Sequence, residues 1–332
     1  MRQIHPCAAA ALLVALCLFA LANKVDTYRG AYAAICINAK DEGPYLVEFV
    51  LYHRWLGFGK IYVMDYNSSQ PAANLRRLLP FIRTGLVEYH YDADPRHHSQ
   101  RPGGIFAEYS QGTAFQRCID FSHRDHMWMA FIDTDEYLVL NTPPGVRPNI
   151  TSFLQKYEKH AALAVNFRIF GSSGHIAKPT VGTLEAYTQC SPATAVQNKH
   201  VKTIARLSQT LAIGGNPHEF VYMNNGHAVN EKGQPVKGPT SEPVSWDGIA
   251  LHHYVTRSLA DFIEKIQRGP GGSQTKRNLD WFRQYDGNAT ETCLEGIELW
   301  RTCCSDEYER LRAREKSGRR RRRGSQAGGG LG

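Results

Sequence analysis

Short apolar runs ending in polar residues recur along the first half of the chain, separated by stretches with apolar residues at helical spacing. Ala31 to Asn38 reads Ala-Tyr-Ala-Ala-Ile-Cys-Ile-Asn, and a short continuous apolar run of this kind predicts a strand buried in a parallel sheet. Lys40-Asp41-Glu42-Gly43-Pro44 then sets acids and a proline where a helix begins, Tyr45 to Leu56 repeats apolar residues at helical spacing, and Gly57 and Gly59 end it. Strands follow at Ile61 to Met64 and Leu86 to Tyr91, with a helix from Leu75 to Ile82 between them. A helix from Glu108 to Phe121 leads into Met127-Trp128-Met129-Ala130-Phe131-Ile132, the most apolar strand of the chain, which runs into Asp133-Thr134-Asp135-Glu136. This alternation predicts a doubly wound α/β sheet, whose ligands bind outside the carboxyl ends of the strands. Asn38, Asp65 and Asn67 fall on that edge.

Beyond Pro143-Pro144 the pattern shifts to shorter strands and Gly-rich loops. It includes Phe167 to His175, a basic strand at Val201 to Leu207, and a strand at Ile249 to Tyr254 followed by a helix from Ser258 to Gln267. From Asp306 the chain is charged and helix-compatible, then rich in Arg and Gly, and order is expected to fade after about Ser317.

Composition supports a folded body, since 42% hydrophobic residues with 11% aromatics suffice for a core. The formal charge of +8 invites a nucleic-acid reading. Position removes it: Arg310 to Arg323 holds nine basic side chains against one acid, Glu315, so the whole excess sits there and the rest is neutral. No nucleic-acid recognition motif accompanies the arginines, so no specific nucleic-acid partner is expected.

The first residues suggest a destination. A basic start, the apolar run Ala8 to Ala22 and the small residues Ala20-Leu21-Ala22 match a secretory signal peptide or a short uncut signal anchor over residues 1–22. The expected location is the secretory pathway, the Golgi lumen in particular, as a single-pass type II membrane protein or a secreted one. In an oxidising lumen Cys190, Cys293, Cys303 and Cys304, in polar loop-like context, are disulfide candidates, while Cys36 and Cys118, inside apolar elements, are as readily buried thiols.

Asp133 and Asp135 carry the chemistry. Two carboxylates spaced by one residue at the end of a buried strand cannot both pack into a core, and a divalent cation would supply the compensating charge. A diphosphate leaving group calls for such a cation. Haloacid-type phosphatases also place D-x-D after an apolar strand, but their fifth position is Thr or Val where this chain has Tyr137. His252-His253 ends another apolar strand, and alternation allows one of the pair to reach a metal.

These residues resemble glycosyltransferase family 92. Lys40-Asp41-Glu42-Gly43-Pro44-Tyr45-Leu46 with Glu48, Tyr52-His53, Leu56-Gly57 and Asp65-Tyr66-Asn67-Ser68 is similar to its opening block. Gln111, Ala114, Cys118, Trp128 and Asp133-Thr134-Asp135-Glu136-Tyr137 follow its Q-x-x-A-x-x-x-C and W-x-x-x-x-D-x-D-E-F, and Phe170 to His175 and His253 to Ser258 its F-G-S-S-G-H and H-Y-x-T-K-S. The resemblance spans about residues 33 to 270, with Asp41 in place of the usual Asn and Tyr66 interrupting D-N.

The resemblance implies a GT-A fold: one catalytic domain over 23–305, with a Rossmann-like, mostly parallel mixed sheet flanked by helices. Residues 23–140 would form the nucleotide-sugar half, 141–305 the acceptor half, and 306–332 a charged helix end and tail. It implies a hexosyltransferase that uses Mn2+ or another divalent cation to move galactose from UDP-galactose, with inversion, onto a glycan acceptor. By position, Asp135 and His253 would ligate the metal, Asp133 would face the ribose or metal, and Asn38, Glu42, Asp65 and Asn67 would line the nucleotide pocket. Inversion needs a general base, for which Glu219 and Asp247 are candidates. Ser172, Ser173, His175 and Trp246 are candidate acceptor contacts. The alternative is a non-catalytic carbohydrate-binding relative of the same fold.

Overall fold

The structure, a computed structural model, describes residues 28–93, 110–269 and 277–327. In chain order, β1 (Ala33–Ala39), α1 (Gly43–Leu56), β2 (Lys60–Tyr66), α2 (Pro71–Arg83) and β3 (Val87–Asp92) lead to α3 (Ser110–Ser122), β4 (Trp128–Asp133) and β5 (Glu136–Leu140). Next come α4 (Ile150–Leu154), β6 (Ala162–Ile169), α5 (Thr183–Ala186), β7 (Gln189–Cys190), β8 (Val201–Arg206), β9 (Thr210–Ile213), β10 (Phe220–Tyr222), β11 (Ala228–Val229), β12 (Pro235–Val236) and β13 (Ile249–His253). The described chain closes with α6 (Leu259–Arg268), α7 (Leu279–Gly287), β14 (Glu291–Thr292), α8 (Glu295–Cys303) and α9 (Ser305–Ala327).

The mixed α/β sheet is the expected one. Its first half is parallel: β3 lies beside β2, β2 beside β1 and β1 beside β4. There β8 joins antiparallel to both β4 and β6, while β13 runs parallel to β6 and antiparallel to β5. Alternation along β1 explains the two cores. Ala33, Ile35 and Ile37 face one side, under Leu46, Phe49 and Val50 of α1. Ala34 and Cys36 face the other, under Ala114, Phe115 and Cys118 of α3. Full burial of one such aromatic as Phe49 contributes about 1.5–3 kcal/mol.

Local chemistry sets the ends of the helices. Pro44 opens α1, whose carboxyl end closes on Gly57 at φ 109°, a left-handed conformation that a side chain resists. A capping box starts α6: Ser258 Oγ accepts from the Asp261 N–H, and the Asp261 carboxylate accepts from the Ser258 N–H.

The cysteines and the last helix add to the sequence expectations. Cys36 and Cys118 form a disulfide pinning β1 to α3, because both project onto the same face of the sheet. Cys190 pairs with Cys293, and Cys303 with Cys304. Helix α9 continues past Ser317 to Ala327, consistent with arginines being good helix formers. No helix among the described residues is long and apolar enough to cross a membrane, and the apolar run 8–22 lies outside the described residues.

Buried imidazoles make the fold sensitive to acid. Burial pushes His53, His218 and His252 down to about 3 from the usual 6.5. Unfolding returns them to the higher value, so below about pH 6.5 the unfolded chain binds protons that the folded chain does not. Each such group then removes up to about 1.4 kcal/mol of stability per pH unit. Thermal denaturation between pH 7.5 and 5 is expected to show a midpoint that is level above pH 6.5 and falls below it. A level midpoint down to pH 5 would contradict the burial of neutral histidines.

Candidate active site

Parallel strands β1, β2 and β4 bring Asn38, Asp65 and Asp133 to one edge, with Asn38 the direct register partner of Asp133. The chain turns at Thr134 and returns as β5, and β13 pairs antiparallel with β5 so that His253 lies opposite Glu136. The Asp135 carbonyl accepts from the Tyr254 N–H at 2.8 Å, which fixes the two segments. His253 Nε2 then stands 3.6 Å from Asp135 Oδ1, and its Nδ1 3.7 Å from Glu136 Oε1.

Three carboxylates meet here, and the protein supplies most of their compensating charge itself. Lys202 of β8 donates to Asp133 Oδ2 at 2.9 Å, and Gln111 of α3 donates to Asp133 Oδ1 at 2.5 Å. Lys265 of α6 donates to Asp135 Oδ2 at 2.5 Å. Burial would raise the Asp135 carboxyl, but Lys265, His253 and Arg257 hold it well below the usual carboxylate range. Burial, with Asp133 and Asp135 alongside, pushes Glu136 well above it. Lys202 is raised because Asp133 and Glu136 outweigh its burial, whereas burial lowers Lys265.

The donor set fits a divalent cation. Asp135 Oδ1 and His253 Nε2 face each other, and their 3.6 Å separation is close to that of two ligands sharing one ion at about 2.0–2.2 Å. Behind the ring, His253 Nδ1 and Glu136 Oε1 lack hydrogen-bond partners among the described residues, an arrangement in which a carboxylate backs a ligating histidine. No three His, Cys, Asp or Glu donors converge on one point among the described residues. One carboxylate and one imidazole leave positions on such an ion for substrate phosphate and water.

Next to this cluster, Glu42 is buried and held by Arg257 at 2.8 Å and Arg268 at 2.6 Å. Arg257 also donates to the Thr134 carbonyl and stacks 3.6 Å over the Tyr45 ring. Asn38 Oδ1 is buried without a hydrogen-bond partner among the described residues, on the strand beside Asp133. Asn67 is exposed at a loop tip with φ 55°. Asp41, where the resembled motif has Asn, clips two loops together: its N–H donates to Ser68 Oγ and its carboxylate accepts from the Ser69 N–H, each at 2.7 Å.

Several expected site residues are occupied elsewhere. Both oxygens of Asp65 are taken by the protein, Oδ1 accepting from the Ser68 N–H and Oδ2 from Asn74 and Tyr89, so Asp65 shapes the loop beneath the pocket. Ser172 Oγ accepts from the Gly174 N–H, Ser173 Oγ from the N–H groups of Thr188 and Gln189, and His175 Nε2 lies 3.0 Å from the Ala186 carbonyl. These three contacts hold the loop in shape. Trp246 donates to the Phe167 carbonyl while Arg168 covers its ring, so its face is not free for a sugar.

Asp247 precedes β13, whereas His253 ends it, and the five residues of the strand, Ile249–His253, separate them by about 13 Å or more. It is exposed and paired with Lys232, which removes it as a base for this site. Glu219 faces a cavity of about 200 Å³ lined by Val201 and Thr203 of β8, His218, Tyr222 and Lys237. Its carboxylate accepts from Asn216 at 2.6 Å.

Lys202, Lys265, Arg257 and Arg268 are the site residues whose roles were not evident from the sequence. A lysine in a strand otherwise buried end to end, as Lys202 is in β8, is the one local signal that marks such a role.

The family profile and the curated relatives agree on the family. A solved mycobacterial protein is 14% identical, with a TM-score of 0.31 over 57% of this chain and 59% of that one, too distant to carry argument. A glycosyltransferase family 92 protein of Arabidopsis thaliana is 21% identical over 267 residues, 76% of this chain and 43% of that protein. One of Ricinus communis is 24% identical over 177 residues, 53% of this chain and 29% of that protein. The chain thus spans less than half the length of the curated relatives it matches. The family profile described as Glycosyltransferase family 92 covers residues 34–270, from β1 through α6, and the chain belongs to that family.

Proposed function

We propose that the chain is a metal-dependent glycosyltransferase that moves a hexose, galactose from UDP-galactose, onto a glycan acceptor with inversion. The observation that carries this reading is the meeting of Asp133, Asp135 and His253 at the carboxyl edge of the sheet, beside the unpartnered Asn38 Oδ1.

Asp135 and His253 would hold the cation, whose chemistry is to stabilise the charge that builds on the departing diphosphate. Lys265 and Arg257 lie next to that ligand pair and favour an anionic leaving group. Lys202 and Gln111 fix the Asp133 carboxylate toward the ribose. The acceptor hydroxyl forms its bond to the anomeric carbon as the bond from that carbon to the diphosphate oxygen breaks. Its proton passes to a carboxylate. Asp247 is too distant, so we assign this role to Glu219, in the cavity beside the strand that carries Lys202. Residence in the secretory pathway is part of the same reading, supported by the disulfides Cys36–Cys118 and Cys190–Cys293.

The test is a screen of nucleotide sugars for UDP or other nucleoside diphosphate release with manganese and with EDTA, followed by linkage analysis of the product. UDP-galactose is expected to be the consumed donor and the product to be a β-galactoside. Turnover of another donor alone would refute the sugar assignment.

A further inference from the structure

The cavity that Glu219 lines sits one strand away from Asp133, on the same face of the sheet. Strand β8 runs antiparallel to β4 with Thr203 opposite Phe131, so Val201 stands level with Asp133. Alternate side chains on a strand leave the same face. Asp133 therefore projects with Phe131, and Thr203 with Val201, onto the face whose core holds both Phe131 and Val201. Phe220 of β10 closes that face, its ring 4.5 Å from that of Phe131. Between β8 and the hairpin remains the cavity of about 200 Å³, with Ala164, Val201 and Phe220 as apolar wall and Thr203, His218 and Glu219 as polar wall.

His218 presents a fixed hydrogen-bond acceptor there. Its Nδ1 is 2.6 Å from the Val201 carbonyl, and a carbonyl only accepts, so Nδ1 carries the proton and Nε2 the lone pair. The backbone is pinned as well: the His218 N–H donates to Asn216 Oδ1 at 2.9 Å, and its carbonyl accepts from Thr203 Oγ1 at 2.7 Å. No hydrogen bond from a described residue reaches Nε2. Burial, with the Lys202 ammonium nearby, holds the imidazole down to about 3, so it stays neutral and takes a hydrogen bond but not a proton. The Phe167 ring lies edge-on to two imidazoles, 6.0 Å from His218 and 4.8 Å from His253. One aromatic ring thus separates His218 from the candidate cation ligand.

We infer that this cavity is the subsite for one neutral pyranose, the terminal sugar of the acceptor glycan, with His218 Nε2 accepting a hydrogen bond from one of its hydroxyls. The inference rests on the glycosyltransferase reading for the identity of that sugar as acceptor. Size supports a single residue, since sites for larger, drug-sized ligands occupy about 300–1,000 Å³. A pyranose offers C–H faces to Val201 and Phe220 and hydroxyls to His218 and Glu219. The Glu219 carboxylate in the wall disfavours a uronic acid. The donor's hexose is the other pyranose in the reaction, but Glu219, which in the proposed function receives the acceptor's proton, lines this cavity and favours the acceptor.

The test compares wild type with His218→Asn and Ala164→Leu, each in the full chain. The asparagine keeps an amide N–H in reach of the Val201 carbonyl and leaves nothing at the Nε2 position, while the leucine fills the cavity from β6. The probes are the methyl β-glycosides of galactose, glucose, mannose and N-acetylglucosamine, with methyl β-galacturonoside as the acidic control, titrated by NMR with UDP and manganese present. At least one neutral glycoside is expected to bind wild type, and more tightly than the acidic one. His218→Asn is expected to weaken that binding about three- to tenfold, the value of one hydrogen bond, and Ala164→Leu to abolish it. With that glycoside as acceptor, KM rises by the same factor in His218→Asn while kcat changes little, as for an interaction kept from ground state to transition state. Thermal midpoints report whether the variants fold, and His218→Asn decides alone if the leucine variant does not. Equal binding in all folded chains, no neutral glycoside bound by wild type, or equal binding of the acidic one overturns the proposal. So does weakened UDP-galactose binding in the variants with glycoside binding intact, which would put the donor's hexose in the cavity. UDP release from UDP-galactose by wild type is measured alongside: its absence refutes the glycosyltransferase reading, while glycoside binding still decides the cavity.

Discussion

Asp135→Asn is expected to lower transfer by about 10²–10³-fold or more while leaving the protein folded. Asparagine keeps the size of the side chain and an oxygen to accept from Lys265, but it cannot supply the negative charge that a cation and His253 require at Oδ1. The thermal midpoint should move by only a few degrees, because the amide spares the buried Lys265 ammonium a missing hydrogen bond. Asp247→Ala is the matched control: that carboxylate is exposed, paired with Lys232 and remote from the cluster, and its loss should leave kcat within twofold. Measuring kcat and midpoint on both variants checks the claim. Wild-type turnover by Asp135→Asn would remove the carboxylate from the chemistry.

Arg257→Met is expected to act on the fold. Arg257 is 6% exposed, adopts φ 50°, pairs with Glu42, donates to the Thr134 carbonyl and stacks on Tyr45. Burial would raise Glu42, and Arg257 and Arg268 together hold it low. With Arg257 gone, a buried carboxylate keeps Arg268 as its remaining cation, and breaking a buried pair in this way costs about 3–5 kcal/mol. At about 2–4 °C per kcal/mol for a domain of this size, the midpoint should fall on the order of 10 °C. Arg257→Lys should recover only part of that, since an ammonium cannot bond Glu42, reach Thr134 and stack together. A drop under about 2 °C in the methionine variant would show that Arg257 is not the counterion that keeps Glu42 buried.

The sequence was most informative where one element carries its own signal. Strands β1 to β4 and the helices between them follow from apolar runs and helical spacing, and Asp133 and Asp135 stand at the end of the most apolar run. Strand β5 was hidden because it begins immediately after the turn at Thr134, where the acids Asp135 and Glu136 obscure a new apolar run. Lys202 and Lys265 were hidden for another reason, as their partners Asp133 and Asp135 are 69 and 130 residues away. Asp247 shows the opposite pattern: it is near His253 in sequence, but it precedes the strand that His253 ends, and its carboxylate pairs with Lys232. The Ser172 to His175 loop looked open to a ligand because no local pattern shows that Thr188, Gln189 and Ala186 consume its polar atoms. Cys36 and Cys118 were each placed in buried elements, yet only the packing of α3 on that face of β1 shows that they meet.

The central claim is that Asp135 and His253 hold a cation that makes diphosphate a leaving group. The most direct measurement is UDP release from UDP-galactose by the wild-type chain under manganese, after EDTA, and after manganese is restored. The account predicts release with manganese, its loss with EDTA and its recovery on restoration, with none of the three responses in Asp135→Asn. Release that persists undiminished in EDTA, or that Asp135→Asn retains in full, would contradict it.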